Sequence, residues 1–127
     1  HVLDALHGYL ILAQKLHFDK KLSGEAFNFG PKKIKNFKVK NLIKYLNNDK
    51  IVEKKLILYK KSKNFKETNI LKLNVKKSQN KLNWSCILDI KKSLDMTKEW
   101  FVKYKPRKFK YNYNLSKSQI LDFIKLK

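Results

Sequence analysis

The chain has 127 residues, a formal net charge of +21 and 43% hydrophobic residues, with aromatics at 13%. That supports one domain with a modest core and excludes a disordered composition despite the charge. One cysteine, Cys86, excludes an internal disulfide framework and suits a reducing, cytoplasmic setting. No signal peptide is visible, and Asp4, His7 and Lys15 break the apolar run from Val2 to Leu16, which argues against a transmembrane span.

Taken in chain order, residues 1–18 place apolar side chains at 2, 5, 6, 9, 10, 12, 13 and 16, the spacing of a helix with a wide apolar face. Such a helix needs a large neighbour. After a polar loop comes "GEAFNFGP", Gly24 to Pro31, which holds two of the three glycines, one of the two prolines and none of the thirty lysines. Within it, "EAFNF" alternates and is rich in aromatics, so a short strand is expected, ended by Gly30-Pro31. Val39, Leu42, Ile43 and Leu46 predict a short amphipathic helix. Leu56 to Tyr59 reads as a strand, Lys60 to Glu67 as a charged loop, and 69–74 as a weak extended segment.

A short helix then ends near Leu82, with Asn83 suited to a left-handed C-terminal position. Asp89 is a good N-cap for a helix carrying Ile90, Leu94, Thr97, Phe101 and Tyr104 on one stripe, closed by Pro106. "YKPRKFKYNYN" is expected as a basic, aromatic linker, and Ser116 as the cap of a last helix with Ile120, Leu121, Phe123 and Ile124 on its apolar face. Helices mixed with strands predict an α/β fold, yet too few strands for a complete sheet. Much of the apolar surface of 1–18 lacks an obvious mate. Together with a first residue that is His1 and not Met, this suggests a piece of a longer protein.

Several chemistries find no footing. Gly8, Gly24 and Gly30 are too far apart for a phosphate loop. His7 and His17 are ten apart, unlike a metal pair one helical turn apart, and no metal site is expected. Cys86 beside Trp84 reads as a packed thiol, and no two carboxylates stand at a spacing that suggests acid–base work. The charge comes from thirty lysines scattered along the chain and a single arginine, Arg107. Phosphate and base recognition favours arginine, so the lysines read as a solvated surface, and nucleic acid is not expected as a partner. A small lysine-rich nucleic-acid-binding protein is the alternative, since cationic density alone attracts phosphates.

The order of five short motifs is more informative. "HVLDALHGYLILAQKL", "GEAFNFGP", "KETNILKLNVKKSQNKLNW", "LDIKKSLDMTKEWFVKY" and "LSKSQILDF" resemble, in sequence, elements of the extended short-chain dehydrogenase/reductases, most of all the CDP-glucose 4,6-dehydratases. They cover nearly the whole chain except about 32–65. The chain departs from the pattern at Asn74, Val75, Lys76, Asn83 and Cys86, and Lys66 stands where the family has His.

The resemblance implies that residues 1–127 are a single C-terminal nucleotide-sugar-binding portion with most of the Rossmann core missing. NAD and the catalytic groups would then belong to an N-terminal domain outside the chain, leaving no catalytic or cofactor-binding residue here. It implies Asn28, Lys66, Glu67 and His1 as substrate-binding residues. It also implies a nucleotide sugar as ligand, a homo-oligomer when full length, no membrane partner, and a related sugar-nucleotide epimerase or dehydratase as a further alternative.

Overall fold

A computed structural model describes residues 1–31, 39–47 and 73–127. The chain divides into two compact units, residues 1–33 with 74–127, and residues 34–73. In the second unit, α2 (Val39–Asn47) forms where the sequence places it, with Leu42, Ile43 and Leu46 half-buried and Val39 exposed.

The first unit holds α1 (Val2–Phe18), a 3-10 turn at Lys20–Leu22, α3 (Lys76–Leu82), α4 (Ile90–Lys103) and α5 (Phe109–Lys125). His1 caps α1, its Nδ1 accepting the Leu3 N–H at 3.3 Å. Asp4 in the first turn and Lys15 and His17 in the last match the helix dipole. The Asp19 N–H returns to the Lys15 carbonyl at 2.8 Å, and the Asp19 carboxylate accepts the Lys21 N–H at 3.0 Å, bending the chain into the 3-10 turn.

Two small cores result. Leu22, Leu82 and Trp84 form one, with Ile11, Leu12, Leu16, Phe27, Phe29 and Cys86 against it. Leu88, Met96 and Phe123 form the other, with Leu3 and Ile87. α1 turns Asp4 and Gly8 inward and packs Ile11, Leu12 and Leu16 on the first core. The stripe Val2, Leu6, Tyr9 and Leu10, apolar in sequence, faces outward at 62%, 45%, 57% and 71% exposure.

α3 ends at Asn83, which takes the expected left-handed conformation (φ 52°, ψ 37°), and the Trp84 N–H returns to the Ser78 carbonyl at 3.3 Å. Asp89 caps α4 as expected, accepting the Lys92 N–H at 2.7 Å. The predicted stripe of α4 is only partly inward: Leu94 is buried and Thr97 half-buried, while Ile90, Phe101 and Tyr104 are exposed, and Met96, off that stripe, is buried instead.

The expected α/β fold is not observed: the described residues form helices and no strand. The predicted strand at 25–29 is irregular chain. Its alternation is satisfied differently, because Phe27 and Phe29 pack on a helical core and the Asn28 carbonyl accepts a bond from the Ser78 hydroxyl instead of a neighbouring strand. The predicted strand at Leu56–Tyr59 lies outside the described residues, as does most of the 69–74 segment. A second correction concerns the expected linker 104–114. α5 begins at Phe109, and Ser116 lies in mid-helix, accepting the Trp100 Nε1–H at 3.3 Å. The turn is closed from inside the helix by Asn112, which accepts the Lys105 N–H at 3.0 Å and donates to the Lys105 carbonyl at 2.7 Å. With both polar groups of Lys105 satisfied there, the helix starts seven residues before the apparent cap.

Candidate functional site

The segment Gly24–Pro31 is fastened to α1 and α3 by ion pairs, hydrogen bonds and ring contacts. Gly24 opens it at φ +78°, a left-handed value that favours glycine. Glu25 follows and receives two ammonium groups from α3, Lys81 at 2.7 Å and Lys77 at 2.9 Å. Those lysines are one helical turn apart, so both reach one carboxylate. Their hydrogen bonds, Lys81 first and then Lys77, hold the Glu25 carboxyl below its ordinary range.

Phe27 lies under the Lys77 ammonium, 4.8 Å from ring centre to Nζ. Phe29 meets Trp84 edge to face at 5.0 Å and Tyr9 at 5.4 Å. The absence of lysine from the window now has a local reason. The segment is the acceptor for cations carried by α3, and its inward positions are aromatic.

Of the expected substrate-binding residues, Asn28 is exposed and its Nδ2 donates to the Asn74 carbonyl at 3.3 Å. Asn74 in turn uses its own Oδ1 to accept the Lys76 N–H at 3.1 Å, so Asn28 joins the crossing segment to the start of α3. His1 is the cap of α1 and is half-buried. Lys66 and Glu67 lie outside the described residues.

Two clefts open on this unit. One, of about 630 Å³, is bounded by Phe18, Asp19, Lys15, Lys21, Glu25 and Lys81 at the C-terminal end of α1. The other, of about 450 Å³, lies where α1, α4 and α5 meet and is lined by His1, Leu3, Leu6, Trp100, Phe101 and Ile120. Gln119, buried beside this second groove, donates to the Met96 carbonyl at 2.8 Å and to Glu99 at 3.2 Å. Lys103, at 2.6 Å, and Gln119 hold the Glu99 carboxyl below its ordinary range. His1 lines the apolar groove, and Asn28 lines neither cleft.

Burial is the leading cause of the pKa shift at two groups of this unit, Cys86 and His7. Burial and then the nearby Asp4 push the Cys86 thiol up to about 11, which leaves it protonated and inert at neutral pH. His7 has both ring nitrogens buried without a hydrogen-bond partner, and burial lowers its pKa. Among the described residues, no three His, Cys, Asp or Glu side chains are grouped to hold a metal ion.

The sequence reading missed Asp4, whose buried carboxylate accepts the Ile87 N–H at 2.7 Å and ties α1 to the chain entering α4. The signal was present: a lone carboxylate one turn before a glycine in an otherwise apolar helix. Gln119 and Ser78 carried no such signal, because a polar residue in a helix ordinarily reads as solvent-facing. Set against known proteins, the chain matches no family model, no curated protein and no solved structure.

Proposed function

We propose that the chain is the nucleotide-sugar-binding portion of an NAD-dependent 4,6-dehydratase acting on CDP-glucose or a close relative. The reading starts from the five motifs in family order. The structural observation that supports it is the outward stripe of α1. Val2, Leu6, Tyr9, Leu10 and Ala13 are exposed and carry no charge, in a chain where lysine is about one residue in four. An apolar stripe kept free of lysine in such a composition suits a face that a cofactor lobe covers.

Nothing among the described glycines forms a dinucleotide cradle, since Gly8 is packed in mid-helix and Gly24 sits in an open turn. NAD is therefore assigned to a lobe outside this chain, where it would supply the transient oxidation at C4 of the sugar. Loss of water across C5–C6 and return of hydride to C6 would complete a 4-keto-6-deoxy product. In this reading, this chain holds the nucleotide. Asn28 offers an amide at the surface of the fastened segment, His1 stands at the head of the docking helix, and Lys66 and Glu67 contribute a cation for the diphosphate and an acceptor for the ribose. The enzyme would be a cytoplasmic homo-oligomer.

No helix among the described residues is long and apolar enough to cross a membrane.

The test uses the full-length protein. Wild type should convert CDP-glucose to a 4-keto-6-deoxy product, and Leu6→Lys with Leu10→Lys should abolish turnover while leaving the helix content of residues 1–127 unchanged. Failure of the full-length protein to bind or convert any nucleoside diphosphate sugar would end the proposal.

A further inference from the structure

Exposed aromatic side chains are not spread evenly over the described surface. Among the described residues, seven Phe and Tyr side chains are exposed, and five of them fall between Phe101 and Tyr113: Phe101 (70%), Tyr104 (43%), Phe109 (84%), Tyr111 (40%) and Tyr113 (66%). The same stretch carries Lys103, Lys105, Arg107, Lys108 and Lys110, and the sequence has no carboxylate between Glu99 and Asp122. Scatter along the chain argued against a nucleic-acid surface, but the basic, aromatic stretch 104–114, expected as a linker, forms the α4–α5 turn and the start of α5 with its rings and cations exposed together.

The turn is a fixed platform. Asn112 clamps both backbone groups of Lys105, and Arg107, the single arginine, sits at the apex with φ +60°. Every residue from Phe101 to Tyr111 is exposed. Trp100 and Tyr104 already stack on each other at 4.8 Å and 20°, and the Lys105 ammonium lies over the Tyr111 ring at 4.6 Å. Phe101 meets Trp100 edge to face at 5.5 Å, which leaves Phe109 and Tyr113 as the exposed rings of the turn with no ring or ammonium against them among the described residues. They are one turn apart on α5, about 6 Å along its axis. Lys108 and Lys110 flank Phe109, and Lys117 follows Tyr113 by one further turn.

We propose that this turn binds single-stranded nucleic acid, with unpaired bases stacking on Phe109 and Tyr113 and the phosphates meeting Arg107, Lys108, Lys110 and Lys117. A single strand offers the base faces that a duplex keeps stacked, so exposed rings favour it over double-stranded partners. Cations alone would serve any polyanion; rings set between cations add a contact that only bases complete. The inference is independent of the dehydratase reading and does not require it.

The experiment measures fluorescence anisotropy of labelled oligo-dT (20 nucleotides) at several salt concentrations. Heparin serves as a baseless polyanion and phosphatidylserine vesicles as an anionic surface. Two exposed-site variants are compared: Phe109→Ala with Tyr113→Ala, and a distant charge control, Lys20→Gln with Lys21→Gln. Far-UV circular dichroism verifies that each keeps its helices.

The expected result is a loss of oligo-dT affinity of about tenfold or more in the aromatic variant, with heparin affinity unchanged. The charge control should weaken both polyanions only slightly and equally. The salt slope on oligo-dT should flatten by about 1.4 when Arg107 and Lys108 are both replaced by Gln. Three results would overturn the proposal: equal binding of oligo-dT by wild type and the aromatic variant, wild-type binding to vesicles in preference to oligo-dT, or no measurable oligo-dT binding at low salt.

Discussion

The ring of Phe29 lies across the backbone of Gly8, so close that a methyl group built on Gly8 would overlap the ring. Gly8 is a helical glycine with ordinary φ, and its role is to admit the Gly24–Pro31 segment against α1. Gly8→Ala improves helix propensity by about 1 kcal/mol but forces Phe29 out of contact with Trp84 and Tyr9. The net expectation is a loss of about 1–2 kcal/mol, read as a shift in urea midpoint with unchanged slope. Combining Gly8→Ala with Phe29→Leu should recover part of that loss, because the smaller side chain leaves room.

Asp4 is the polar counterpart of that contact. Its carboxylate is 5% exposed and accepts the Ile87 N–H at 2.7 Å. Asp4→Ala leaves a backbone donor without a partner and should cost about 1–3 kcal/mol. Asp4→Asn retains an acceptor and should cost less. Hydrogen exchange at Ile87 distinguishes the two: fast in the alanine variant, protected in the asparagine variant.

Acid stability should draw on two groups, one a histidine and one a carboxylate. His7 packs edge-on against Phe123 at 6.0 Å, and its pKa is lowered first by burial and then by Lys127, with Asp4 opposing. As pH falls through the ordinary value of 6.5, the unfolded chain takes the proton before the folded one, so stability declines toward the lowered pKa. His7→Leu should remove that slope while the wild type keeps it. Glu25 acts in a more acidic window. Its folded pKa lies below the ordinary 4.5, so its contribution is full above 4.5 and disappears as pH falls through the lowered value. Carboxyl carbon NMR should place the Glu25 pKa higher in Lys81→Gln than in wild type; an unchanged value would show that the ion pair does not form in solution.

Cys86 should be unreactive in the folded chain. With its pKa raised to about 11, the thiolate fraction at pH 8 is small, and iodoacetamide should modify it far more slowly than in urea. Equal rates in both conditions would contradict its half-buried setting between Trp84 and Ile87.

The local signals were legible in the sequence. Asp89 as a cap, Asn83 in a left-handed position and the helical span of α1 each depend on a few neighbouring residues, and each is found where the sequence places it. What the aromatic alternation in "EAFNF" would pack against was not legible. Period two specifies which side chains share a side, but a strand needs a second strand, and here α1 and α3 supply the surface instead. The start of α5 was hidden for a similar reason, since the cap is a side chain inside the helix reaching back to Lys105.

Composition and spacing alone therefore determined the charge, the presence of the helices and the caps at Asn83 and Asp89, because those follow from interactions within a turn or two. Only the tertiary arrangement decided which face of α1 is buried and which lysines hold Glu25. Those outcomes depend on contacts between residues distant in the chain, such as Asp4 with Ile87 and Glu25 with Lys81, and periodicity within one segment carries no information about its partner.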